Sequence, residues 1–337
     1  MLQIFRSIFG SGDEPSPHPA ELIRRAIERA VDGTDPRLRA LSGYQKKLRP
    51  AVIHALDHVV ALVEGLPPVI ELNARSYGSD PELTAYFVSL EHLHEMLERD
   101  ATLNQWRNSA EGVAADEIVV LLLMTLEERR VLGAALEGDS LRHGVAQTTA
   151  SFSKHRFVDA ARVEAETRRL LKRRAFDHLL SLALAGIGNA IAGRGELERE
   201  RDLLRRKQAA LTAGRWGFEE TSGAQPADPR ALQGRLEEIE SQLQALGAGS
   251  GLLKAHLDLV AGVLMRAECN LRAERTALIV DRLGVKQTQA SALVPELDLT
   301  ALHSANGGVR IARLLSIGRE VLPQRRDLLR EAERYLG

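Results

Sequence analysis

The chain has 337 residues, 44% hydrophobic and 27% charged, with 45 Lys and Arg against 46 Asp and Glu. A formal net charge of -1 argues against a general nucleic-acid binder, whose affinity for phosphate comes from a cationic face, and leaves only a local basic patch to that role. A single cysteine, Cys269, excludes an intrachain disulfide framework and a cysteine-rich zinc module, and aromatics at 4% leave the core to Leu, Ala, Val and Ile, which favours helix packed on helix.

Residues 1–9 carry Leu2, Ile4, Phe5, Ile8 and Phe9, enough for a short apolar helix ahead of a Gly- and Pro-rich linker that ends at residue 19. Such a segment could dock on the protein or rest weakly in a membrane surface, with Arg6 as its only basic side chain. No secretory pattern is evident, so the expected location is the cytoplasm, with the inner face of a membrane within reach of residues 1–9. Apolar spacing then predicts helices over 21–31, where Leu22, Ile23, Ala26, Ile27 and Ala30 share a face, and over 51–62, opened by Pro50. Asp80 as N-cap and Pro81 at the first helical position open a third helix, expected to run through Leu97. Residues 20–112 therefore read as a helical bundle.

From Glu117 the pattern changes. The apolar run 118–124 suits a strand or a buried helix, and 131–137, the turn Gly138-Asp139 and 145–152 suit a β-hairpin, because Gln147, Thr148, Thr149, Ser151 and Ser153 fill a half-exposed strand better than a helix. A long helix over 163–191 follows. It includes an apolar stretch, 175–192, interrupted by Asp177, His178 and Asn189, which is expected to be a buried core helix rather than a membrane span.

Over 195–247 two charged segments flank a connector containing Gly214, Trp216, Gly217, Phe218, Gly223, Pro226 and Pro229. Leu197, Leu204 and Leu211 recur every seven residues, and Leu232, Leu236, Ile239, Leu243 and Leu246 alternate four and three, which predicts an antiparallel coiled-coil hairpin. Pairing Leu204 with Ile239 would set Arg205 and Arg206 beside Glu238 and Glu237, and an Asp202 to Arg206 pair is expected within the first helix. Beyond a hinge at 247–251 come a helix over 252–268 and strands over 276–283, 293–299 and 309–317. The leucines 257, 264, 271 and 278 leave one continuous helix as the alternative for 257–283.

The expected fold class is α+β and predominantly helical: a helical bundle over 20–112, a body over 113–194 and 248–337 with a small, mostly antiparallel sheet, and the hairpin arm over 195–247. Candidate chemistry is sparse. His54, Asp57 and His58 share a helix face, with His92 or His94 as a conceivable third metal ligand, but the spacing matches no zinc motif and an incidental pair is the better account. Ser153, His155 and Asp159 cluster only in sequence, and a triad is recognised by geometry. Gly186, Gly188, Gly193 and Gly195 lack the phosphate-binding order and suit close helix packing or a bend into the arm.

No cofactor or metal is called for. The residues that best suit a partner are Trp216 and Phe218 at the arm's tip, although folding back on the arm's own leucines is the better account of the two rings, together with the basic strip Arg168, Arg169, Lys172 and Arg173, which a solvated, Glu-paired helix face explains better. The expected function is that of a noncatalytic interaction or scaffold protein that self-associates or binds a protein partner through the arm. The alternatives are a small-ligand-binding protein or enzyme with a dispersed site between sheet and bundle, and a peripheral membrane factor using residues 1–9 and the basic strip.

Overall fold

A computed structural model describes residues 18–73, 75–137, 140–212, 229–245, 249–291 and 294–322. In chain order the elements are α1 (Ala20–Asp32), a 3₁₀ turn (Pro36–Ala40), α2 (Tyr44–Glu64), β1 (Ile70–Leu72), α3 (Pro81–Tyr86), α4 (Leu90–Arg99), α5 (Ala101–Arg107) and α6 (Ala110–Val113). They continue with β2 (Glu117–Glu137), β3 (Ser140–Ala161), α7 (Glu164–Thr212), α8 (Pro229–Ala245), α9 (Ser250–Leu264), α10 (Ala267–Asn270), β4 (Leu271–Ile279), β5 (Glu296–Ser304) and β6 (Val309–Gly318). With 54% helix and 27% strand among the described residues, the fold is mixed α+β and predominantly helical, as the composition implied. It divides into two units, one formed by 1–58 with 176–267 and the other by 59–175 with 268–337. The first boundary falls inside the stretch read as one helical bundle.

The first unit is helical. α1 buries Ile23, Ala26, Ile27, Ala30 and Val31, the face its spacing predicts, and ends at Gly33, where an added Cβ would lie 3.1 Å from both the Arg29 carbonyl and the Leu180 side chain. α2 starts at Tyr44, so Pro50 lies within it rather than opening it. Burying Leu48 together with Ala51, Val52 and Ala55 outweighs the one backbone hydrogen bond that proline removes.

The second unit is built on a six-stranded sheet of order β3-β2-β6-β5-β4, with β1 pairing in parallel to β6 and every other pair antiparallel. β1 was not foreseen from the sequence. β6 is central: β2 lies along one side, while on the other β5 takes 309–312 and β1 takes 315–317. Both faces of β6 are buried. Ile311, Leu315 and Ile317 join Ile118, Val120, Leu122, Met124, Leu297 and Leu299 under α3, α4 and α5, whereas Ala312 and Leu314 pack with Leu121, Val158, Leu171, Val63 and Leu66.

The 118–124 run is strand, and the hairpin is far longer than 131–152, since β2 and β3 have 21 and 22 residues. β3 carries three bulges, where the register shifts and Gly144, Lys154 and Asp159 adopt positive φ of 76°, 54° and 56°. The added twist suits a sheet that curls toward closure, because Val285, in the turn after β4, bridges to Thr149 of β3, and Lys286 N donates to Thr148 O. Residues 271–279 are strand, which removes the continuous-helix alternative.

The helix opened by Asp80 stops early. Asp80 accepts from Glu82 N and Leu83 N as expected, but Phe87 is extended and Ser89 caps a new helix by accepting from His92 N at 3.1 Å. The break lets Tyr86 and Phe87 both turn into the core, where each is almost wholly buried. Asp100 then caps α5 through one carboxylate oxygen and receives Phe157 N of β3 at 2.9 Å on the other.

Two glycine substitutions test this packing. At Gly112 a Cβ would stand 2.2 Å from the Trp106 carbonyl, so Gly112→Ala should lower stability by about 2–3 kcal/mol in urea titrations. At Gly193, inside α7 with open space around it, Gly193→Ala should raise it by about 0.5–1 kcal/mol.

Candidate functional site

α7 runs without interruption from Glu164 to Thr212, so the glycines in it do not end the helix. Gly186 packs closely, its missing Cβ 3.0 Å from the Leu259 side chain, but Gly188, Gly193 and Gly195 face open space. The apolar stretch is buried on one face only, through Phe176, Leu179, Leu180, Ala183 and Ile187. By length and composition it could also cross a membrane, the one such helix among the described residues.

Farther along α7, Arg194, Leu197, Arg201, Leu204 and Gln208 are half-buried at alternating spacings of three and four, and α8 buries Leu232, Leu236, Ile239 and Leu243. Between the two helices Arg205 pairs with Glu240 at 2.6 Å, Arg235 with Glu200 at 3.0 Å, and Gln208 Nε2 donates to Gln233 Oε1 at 2.8 Å. The expected partners differ. Glu238 is held by Arg235 at 2.7 Å, Glu237 accepts from Gln233, and Asp202 pairs with Arg201 rather than Arg206. Trp216 and Phe218 lie outside the described residues.

The basic strip divides. Arg168, only 13% exposed, bonds Glu164 and donates to the carbonyls of Val63 and Leu66, so it caps the C-terminal end of α2. Lys172 pairs with Glu64 and Arg169 with Glu166, while Arg173 is exposed.

The other sequence candidates do not converge. Asp57 meets His18 at 2.8 Å, and no group of three His, Cys, Asp or Glu suited to a metal occurs among the described residues. Ser153 donates to Glu127, His155 Nε2 donates to the Tyr86 carbonyl, and Asp159 pairs with Arg174. His155 stacks on Phe87 and meets His92 edge-on, and burial lowers its pKa. A cleft of about 240 Å³ lined by Ala61, Leu62, Gly65, Ala273, Arg275 and Thr300 brings no acid or histidine together, and one of about 450 Å³ along α1 has alternating Glu, Asp and Arg walls.

Two buried polar groups were missed by the sequence reading. Arg313 interrupts the apolar inner face between Ile311 and Leu315, a signal visible in the strand's period of two, and lies 3.0 Å from Glu82, which also accepts from Tyr86 at 2.7 Å. Burial raises the Glu82 pKa despite Arg313, and burial with Glu82 beside it raises that of Tyr86. In the helical unit His256, 1% exposed, donates through Nδ1 to Asp35 at 2.9 Å. Asp35 also caps the 3₁₀ turn and takes two bonds from Arg37, the main cause of a carboxyl held well below its ordinary pKa.

No protein-family model, curated protein or solved structure matches this chain.

Arg313→Met should cost about 3–5 kcal/mol by leaving the Glu82 carboxylate buried without its countercharge, and adding Glu82→Gln should recover most of that loss in a double-mutant cycle. For Asp35 the lowered folded pKa means its contribution is present above the unfolded value of about 4 and is lost as pH falls below it. Asp35→Asn should therefore cost about 1–3 kcal/mol at neutral pH and flatten the acid limb of a stability profile measured from about pH 6 to about pH 2.

Proposed function

We propose that this chain is a noncatalytic assembly protein whose interaction element is an antiparallel coiled-coil hairpin formed by α7 and α8. The observation that carries the reading is the row of four buried residues on α8, Leu232, Leu236, Ile239 and Leu243, at spacings of four, three and four. The facing row on α7 alternates leucine with Arg201 and Gln208, so the seam holds the helices in register more than it builds a core. The pairs Arg205–Glu240 and Glu200–Arg235 cross about a level that sets Leu204 against Leu236 and Leu197 against Leu243, three residues from the register expected with Ile239. Such a hairpin stabilises itself only weakly, and its outer faces, with Leu203 exposed, are free to meet a second copy or a partner, with Trp216 and Phe218 as proposed contacts at the tip.

The mutual pairing of the basic strip with glutamates favours this reading over attraction to anionic membranes. Deleting 196–246 and closing the gap with a short Gly/Ser linker should leave a folded body with reduced solution mass by light scattering. A multimer that survives the deletion unchanged would refute the arm as the assembly device. Ile239→Ala should loosen α8 by about 2–4 kcal/mol, seen as faster amide exchange across 230–245.

A further inference from the structure

The exposed side of α7 carries a second seam, distinct from the face that meets α8. Ser181, Leu184, Gly188, Ile191 and Gly195 follow one another at spacings of three and four, and Leu184 and Ile191 are each 46% exposed. No charged residue occurs between Asp177 and Arg194. Added Cβ atoms at Gly188 and Gly195 would meet nothing within 4 Å.

The pattern is close to palindromic about Gly188. In an antiparallel pair of α7 helices crossing at that residue, Ser181 faces Gly195 of the other copy, and Leu184 lies between Ile191 and Ala192. The same register places Asp177 opposite Arg199 and Arg174 opposite Asp202, so opposite charges meet at both ends of the uncharged stretch. Asp177, Arg174 and Asp202 already have partners in their own copy, Arg29, Asp159 and Arg201, but remain 40%, 50% and 53% exposed, and Arg199 is exposed. Each carboxylate therefore keeps room for a second cation.

We infer that the occupant of this face is a second copy of the chain, docked antiparallel along α7 with the twofold axis at Gly188. Self-complementarity of one patch is what a twofold interface requires, and glycine on the axis lets the backbones approach closely. The pairing deepens the assembly reading by naming the partner and the register, yet it uses a face the hairpin leaves free.

Cysteine cross-linking in a Cys269→Ser background tests it. Gly188→Cys should give a covalent dimer on mild oxidation, because the axis brings the two copies of that position within disulfide reach. Glu196→Cys should not, since its two copies would stand about 24 Å apart along the helices, whereas Ser181→Cys with Gly195→Cys should cross-link. Arg199→Glu should weaken dimerisation about tenfold by analytical ultracentrifugation, and Leu184→Glu with Ile191→Glu should abolish it, with circular dichroism unchanged. A chain that stays at 37.0 kDa throughout, or cross-links at 196 as readily as at 188, overturns the inference. A dimer that cross-links at 188 but survives deletion of 203–246, which removes α8 and keeps Arg199 and Asp202, would remove the hairpin from assembly and leave this pairing standing. The converse result would remove the pairing alone.

Discussion

One uninterrupted helix sets the terms for much of this protein. α7 must satisfy different neighbours with successive faces of a single 3.6-residue period. Near its start Leu171 packs with Leu121 and Leu314 of the sheet, and the Thr167 hydroxyl reaches the Val119 carbonyl at 2.9 Å. Through its middle Phe176, Leu179, Leu180, Ala183 and Ile187 pack in the helical unit, and beyond Gly195 the row with Leu197 and Leu204 meets α8. The middle and C-terminal rows continue one another at spacings of three and four, through Leu180, Ala183, Ile187, Ala190, Arg194 and Leu197, whereas Leu171 lies at a different angle around the axis.

The polar interior follows a different logic. Arg313 sits on the inner face of the sheet against Glu82 and Tyr86 of α3, and Asp35 and His256 sit in the helical unit, both groups held by short contacts and largely away from water. Such groups stabilise little in net terms, because desolvation offsets most of the attraction, but removing one member leaves the other exposed to the full penalty. They make the fold intolerant of single substitutions at those positions. Nothing in their geometry brings a nucleophile, a base and an open cleft together.

Much of the architecture was legible in the chain. The α1 face, the Asp80-Pro81 start, the long helix ahead of the arm and the strands near 297 and 311 follow from period and capping, because each depends on residues a few positions apart. The errors share a cause. Pro50 inside α2, the break at Phe87 and the early end of the helix at Leu264 were decided by which side chains a distant element could bury. β1, three residues long, had no pattern to offer and exists because β6 needs a partner where β5 leaves it. The Arg205–Glu240 and Arg235–Glu200 pairs centre the two helices three residues from the expected register, which takes Arg205 off Glu238.

By itself the sequence determined the α+β class, the helical bias and the spacing of every apolar seam, since these are local consequences of period, propensity and composition. It also determined the near-palindrome about Gly188. Tertiary structure alone decided which seam is buried and which is open, where the β-hairpin bulges, and which carboxylate each arginine meets. Those outcomes depend on free-energy differences between competing contacts far apart in the chain, and a single local pattern is compatible with several of them.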